Sequence, residues 1–133
     1  MGVGAGSRQA LRWHRNRNAT VAPGSPAVHH PSMSNVPASF RAYVVDRPEG
    51  GAFSRGLRDM TSADLPKGEV TVRVEWSSVN FKDGLAARED GRVARGYPLI
   101  PGIDLAGTVA ASDDAAFPVG AKVLAHGYDI GVA

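Results

Sequence analysis

The run "EVTVRVEW", Glu69 to Trp76, alternates strictly, and a period of two is the signature of a half-buried β-strand. Val70, Val72, Val74 and Trp76 fall on one face; Thr71, Arg73 and Glu75 fall on the other. A strand of this kind needs partner strands and a core beneath its apolar side. Other stretches supply them. "FRAYVVD", Phe40 to Asp46, alternates and is rich in β-branched and aromatic residues. "IDLAGTVAAS", Ile103 to Ser112, reads as a strand in which Gly107 allows a bulge or a close backbone approach. "AKVLAHG", from Ala121, reads as a last strand.

The segments between these strands read as turns, one helix and one loop. "RPEGGAFS" carries paired glycines and reads as a hairpin turn. In "LPKGE", Pro66 presets φ and Gly68 can take a positive φ. "FKDGLAARED", from Phe81, is the best short helix, although Gly84 weakens its first turn. "GRVARGYPLIPG" is a loop, because Pro98 and Pro101 push the residues before them out of helical geometry. "DDAAFPVG" is a connection. Five or six short strands and one short helix predict a mostly β fold, a partly open barrel or sandwich. The 133 residues amount to about one domain, with no repeat of 20–50 residues.

Charge separates the first part of the chain from the rest. Residues 1–37 hold Arg8, Arg12, Arg15 and Arg17 and no Asp or Glu. Without these four, eleven Lys and Arg face thirteen Asp and Glu, so residues 38–133 carry a net charge of −2. Nucleic-acid binding, which depends on clustered positive charge, has little support there. No apolar run approaches the roughly 18 residues of a membrane span. The chain has no cysteine, which excludes disulfides, thiolate zinc sites and a cysteine nucleophile.

Residues 1–37 show no sustained period and little apolar surface to offset the entropy of ordering, so they are expected to be a disordered extension. A start read too early, with Met33 as the natural one, would explain such a segment; so would a transit-type peptide, being Arg-rich and poor in acids. A genuine extension is the third explanation. A cytoplasmic location is expected, with organellar import kept open by this segment. "GVGAGS" has Ser7 where a dinucleotide loop needs its third glycine, and no strand precedes it. His29-His30 reads as a solvated pair, and the sequon at Asn18 has no consequence without a secretory route.

Two stretches in 38–133 could carry chemistry. "SSVNFKDG", Ser77 to Gly84, follows the end of the clearest strand, where a rigid element can hold side chains that remain accessible. Asn80 offers an amide donor and acceptor, and Lys82 and Asp83 offer opposite charges. The same residues are also ordinary turn and cap chemistry. In "YPLIPGIDLAGTV", Asp104 enters a strand amid apolar neighbours and needs a partner or solvent. The glycines there do not make a P-loop, since Thr108 stands where the Lys belongs and the order is loop to strand. His126 in "LAHGYD" pairs with no Ser or Asp in sequence and reads as an isolated surface residue.

"LPKGEVTVRVEWSSVNFKDGLA", "RGYPLIPGIDLAGTV", "SDDAAFPVGAKVL" and "HGYDIGVA" together resemble, in order and spacing, the zinc-independent medium-chain dehydrogenase/reductases. The acryloyl-CoA reductase subfamily, often labelled quinone oxidoreductase or alcohol-dehydrogenase-like, is the nearest in pattern. The resemblance covers Ala38 to Ala133. It implies a GroES-like, partly open β-barrel that forms the catalytic domain, followed in the family by a Rossmann domain that binds NADPH. No strand–GxGxxG–helix unit occurs in this sequence. Residues 38–133 are therefore expected to be a C-terminally truncated catalytic domain, inactive alone.

The resemblance implies reduction of an activated C=C bond, as in an enoyl thioester such as acryloyl-CoA, with hydride from NADPH. Quinones or other enones are alternative substrates, and a non-catalytic stand-alone β-barrel module is a further reading. Asn80, Lys82 and Asp83 would be catalytic, Asn80 and Phe81 would meet the cofactor, and Pro101, Gly102 and Asp104 would line the substrate cleft. Zinc-dependent relatives have Cys where Asn80 stands, so no metal is expected. Many relatives have Tyr where this chain has Phe81, which removes a hydroxyl proton donor. No nucleic-acid or membrane partner is implied, and the family reading allows a homodimer at full length.

Overall fold

The computed structural model describes residues 10–13, 19–24, 36–127, 130 and 131. Among them are seven strands and one α-helix. The strands are β1 (Ala10–Trp13), β2 (Ala19–Val21), β3 (Ser39–Asp46), β4 (Ser54–Thr61), β5 (Val70–Trp76), β6 (Asp104–Ser112) and β7 (Lys122–His126). Helix α1 (Phe81–Ala86) lies between β5 and β6. Five strands form one antiparallel sheet in the order β1-β5-β6-β7-β2, and β3 and β4 form a separate hairpin. The fold is mostly β and open, as expected for a GroES-like domain.

Two cores hold these layers. Val70 and Val72 from β5, Leu105 and Val109 from β6, and Val123 and Ala125 from β7 pack with Phe117 and Ile130. Each fully buried valine contributes on the order of 2 kcal/mol by leaving water. The hairpin buries Phe40, Ala42 and Val44 against Leu65. It is tied to the loop before β6 by a reciprocal backbone pair between Val45 and Leu99, both bonds 2.8 Å. On the outer face of the large sheet, Glu75, Thr108 and Lys122 bridge β5, β6 and β7. Lys122 Nζ donates to Glu75 at 3.0 Å and to Thr108 at 2.7 Å.

The alternation of β5 is broken from its start, with Val70, Thr71 and Val72 all buried. Trp76 is 76% exposed instead of sharing the face of Val70 and Val72. The register against β6 shifts between Thr71 and Val72 and again between Val74 and Trp76. Each such irregularity breaks the period of two and turns the following side chains. The second one carries the strand end out of the core and toward solvent. Gly107 serves the close approach expected of it: a β-carbon there would lie 2.2 Å from the Arg73 carbonyl oxygen.

The first part of the chain departs from expectation. Residues 10–13 and 19–21, expected to lack regular structure, are strands β1 and β2. They pair with the open edges of β5 and β7, and Ala19 and Val21 pack against the main core. Three or four residues cannot show a convincing period, and what orders these is the unpaired backbone of their neighbours. The "GVGAGS" stretch, Asn18 and His29-His30 lie outside the described residues. Strand β4, within "SRGLRDMT", has almost no alternation and is exposed along most of its length; its pairing with β3 forms it.

Candidate active site

The end of β5, the start of α1 and the start of β6 meet around one carboxylate. Asp104 is the first residue of β6. Its Oδ1 accepts the Ser78 backbone N–H at 2.7 Å and the Ser77 hydroxyl at 3.3 Å. Its Oδ2 accepts the Asn80 side-chain amide at 3.0 Å and a short bond from the Ser78 hydroxyl. Ser77 Oγ also donates to the Asp104 carbonyl oxygen at 3.0 Å. Burial pushes the Asp104 carboxyl up, but the bonds from Ser78, Asn80 and Ser77 together outweigh it and hold the group below the usual carboxylate range.

A second carboxylate repeats the pattern one turn away. Asn80 is the N-cap of α1, and Asp83 is the third residue of that helix. Asp83 Oδ2 accepts the Asn80 backbone N–H at 2.7 Å, the reach-back of a capping box. Its other oxygen, Oδ1, accepts the Ile103 backbone N–H at 3.0 Å. Asp83 and Asp104 therefore clamp the two blocks "SSVNFKDG" and "PGID" together from opposite sides. The clamp fixes both the entry to α1 and the entry to β6.

The sequence-predicted residues divide into two groups. Asn80, Asp83 and Asp104 come together through hydrogen bonds, as do Pro101 and Gly102 by adjacency to Ile103. Gly102 has φ +142, and Gly131 approaches its backbone so closely that a β-carbon on Gly131 would meet Gly102 atoms at 2.4–2.6 Å. Lys82 is half-buried and takes no part in the network. Phe81 is 84% exposed, beside Val79 at 96% and Trp76. Ser77 and Ser78 were not singled out from sequence, although they supply three of the donors to the Asp104 carboxylate; a pair of hydroxyls at a strand end was the available signal. His126 lies opposite Asp104 in the β6–β7 ladder and is exposed. No group of three His, Asp or Glu among the described residues could hold a metal ion, and none of the described helices is long and apolar enough to cross a membrane.

An open β domain whose strand-end loop is clamped by carboxylates is a scaffold that can hold a site. The chain belongs to the alcohol dehydrogenase GroES-like domain family, whose model matches residues 66–132. Within it, the relatives found fall in the zinc-independent medium-chain dehydrogenase/reductase group. Acrylyl-CoA reductase AcuI of Ruegeria pomeroyi is 46% identical over 95 residues, 71% of this chain and 29% of that protein. The putative quinone oxidoreductase YhfP of Bacillus subtilis is 46% identical over 76 residues, 57% of this chain and 23% of that protein. Among solved structures, the yhdH oxidoreductase of Salmonella enterica in complex with NADP superposes with a TM-score of 0.63 at 41% identity, covering 70% of this chain and 28% of that one. The chain thus spans under a third of the length of these relatives.

Proposed function

We propose that this chain forms the substrate-side, catalytic part of an NADPH-dependent reductase that reduces an activated C=C bond in an enoyl thioester such as acryloyl-CoA. The observation that carries the reading is the double clamp of Asp83 and Asp104. It joins the two sequence blocks that resemble the reductases and presents a rigid, partly apolar rim to solvent. The relatives named for acrylyl-CoA reduction and the NADP-bound structure support the same reading.

In this reading NADPH supplies hydride to the β-carbon of the thioester. The α-carbon takes a proton, and charge develops on the thioester oxygen. Asn80 holds the rim next to the reacting groups. Its two amide hydrogens are directed at Asp104 Oδ2, 3.0 Å, and at Ser78 Oγ, 3.2 Å, so a donor to the thioester oxygen has to come from another group. Trp76, Val79 and Phe81 give flat ligands an apolar surface beside it. Pro101, Gly102 and Asp104 form the wall behind, and Lys82 contributes positive charge near an anionic substrate. Phe81 has no hydroxyl, so the proton comes from water or from another group.

The test is NADPH oxidation with acryloyl-CoA by the 133-residue chain and by the same chain joined to the cofactor-binding part of a relative. Turnover by the joined form and none by the short form is the expected result. A joined, folded protein that oxidises NADPH with no enoyl-CoA would overturn the reading. Turnover with a quinone in place of the thioester would instead favour the second reading, which the relative named as a quinone oxidoreductase supports.

A further inference from the structure

An open hollow of about 360 Å³ is lined by Phe53, Ser54, Arg55, Arg88, Glu89 and Asp90. That is within the range of small-ligand sites, roughly 300–1,000 Å³. Two arginines, Arg55 and Arg88, line it beside Glu89 and Asp90, and two more, Arg47 and Arg58, bond to residues near it; three of the four are matched one to one. Arg58 pairs with Asp46 at 2.9 Å, Arg88 grips Asp90 through two bonds of 2.9 and 2.8 Å, and Arg47 pairs with Glu89. Arg55 is the fourth. It donates from Nη1 to the Ala87 carbonyl oxygen at 2.6 Å, and no carboxylate pairs with it among the described residues. One of its five N–H groups is thereby used to fix the side chain, and the positive charge is left over.

The surroundings favour an anion at this point. Arg47 is held over the Phe53 ring, 5.6 Å from the centroid, so the wall is stiff on that side. Carboxylates already engaged by arginines repel a second anion less than free ones would. An anchored guanidinium with no carboxylate partner has N–H groups left over that can bind phosphoryl oxygens.

We propose that this hollow binds a phosphoryl group of the substrate, with Arg55 as the anion-binding residue and Arg88 also on its lining. The assignment to the substrate rests on the reductase reading above, because coenzyme A carries phosphoryl groups remote from the reacting thioester. NADPH and inorganic phosphate share the chemistry, so the test separates the three sources.

Coenzyme A, dephospho-coenzyme A, NADPH and inorganic phosphate are titrated by calorimetry into the 133-residue chain and three variants. Arg55→Gln removes the charge while keeping a donor for Ala87. Arg55→Lys keeps the charge. Arg41→Ala is the control, since Arg41 lies far along the hairpin against Asp59. Saturable coenzyme A binding that weakens at least tenfold in Arg55→Gln, less in Arg55→Lys and not in Arg41→Ala is expected, with inorganic phosphate competing. The affinity should fall as salt rises. Equal affinity in Arg55→Gln and the unaltered chain, with matching circular dichroism, overturns the site. NADPH binding with the same Arg55 dependence and no coenzyme A binding overturns the assignment to the substrate. Because no readout here is turnover, binding without reductase activity would sink the reaction and keep the site, and the reverse would sink the site alone.

Discussion

The Asn80 side chain donates to Asp104 across 24 residues of sequence, Nδ2 to Oδ2 at 3.0 Å. A carboxylate can only accept, so this bond alone decides which end of the amide faces Asp104. The same carboxylate takes the Ser78 N–H at 2.7 Å, so the whole turn from Ser77 to Asn80 takes its position from one residue of β6. Replacing Asp104 by Asn substitutes a group that is half donor for one that only accepts, and an NH2 group would then face donors. Asp104→Asn is expected to lower stability by about 0.5–1.5 kcal/mol, the net worth of a hydrogen bond whose partners, exposed or half-buried here, can turn to water. Urea unfolding followed by circular dichroism measures it. In a form carrying a cofactor domain, turnover should fall on the order of 100-fold, as misplacement by about 1 Å does.

The lowered Asp104 carboxyl sets a sign for pH dependence. A group whose folded pKa lies below its unfolded one stabilises the fold above the unfolded value, about 3.9 for Asp. That contribution is lost as pH falls through the folded value, when protonation breaks the acceptor set. The Asn80 side-chain amide and the Ser78 backbone amide should therefore keep their nuclear magnetic resonance positions down to about pH 4 and shift together below it. A shift of these signals between pH 5 and 7 would contradict the assignment of the carboxylate as their common acceptor.

The sheet, the helix and the clamp were legible in unequal measure. Val70 and Val72 announce β5 by alternation, and the helix expected over "FKDGLAARED" forms, but only as Phe81–Ala86, behind an Asn80 cap that Asp83 closes. The position of Trp76 was not legible, because a register shift leaves no trace in composition. Strands β1 and β2 were not legible either: their order comes from partners more than 50 residues away, not from local pattern. Asn80, Asp83 and Asp104 could be picked out as polar residues at element ends. Their union could not, since only the β5–β6 pairing brings residue 104 beside residues 77–80.

Phe81 separates function from stability. Its ring is 84% exposed, so Phe81→Ala removes little buried surface and should change stability by no more than about 0.5 kcal/mol. If the rim beside Asn80 receives a flat ligand, the same change removes an aromatic contact worth about 0.5–1.5 kcal/mol. The Michaelis constant for cofactor or thioester should then rise roughly 2- to 10-fold in the joined form. An unchanged Michaelis constant would remove Phe81 from the ligand surface.

Gly107 is a backbone contact in residue form. Its missing β-carbon would lie 2.2 Å from the Arg73 carbonyl oxygen and 2.9 Å from Val72 Cγ1, so β5 and β6 cannot keep their spacing around an alanine. Gly107→Ala is expected to lower stability by about 1–3 kcal/mol through forced backbone movement. Gly56 is the comparison: nothing lies within 4 Å of its β-carbon position, and Gly56→Ala should be tolerated. Thermal unfolding of both variants side by side tests the difference.

Strands β1 and β2 close the two edges of a three-stranded core. With residues 1–32 removed, β5 and β7 would each present a row of unpaired backbone groups, the condition under which sheets recruit strands from other molecules. The loss also uncovers core surface under Ala19 and Val21. A chain beginning at Met33 is therefore expected to self-associate in proportion to concentration, where the 133-residue chain does so less. Light scattering after size-exclusion chromatography reads this directly. Added back as a peptide, residues 8–24 should restore the smaller species, because they supply both edges at once. A shortened chain that stays monomeric at high concentration with an unchanged unfolding midpoint would show that the pairing of β1 with β5 and β2 with β7 contributes nothing to the fold.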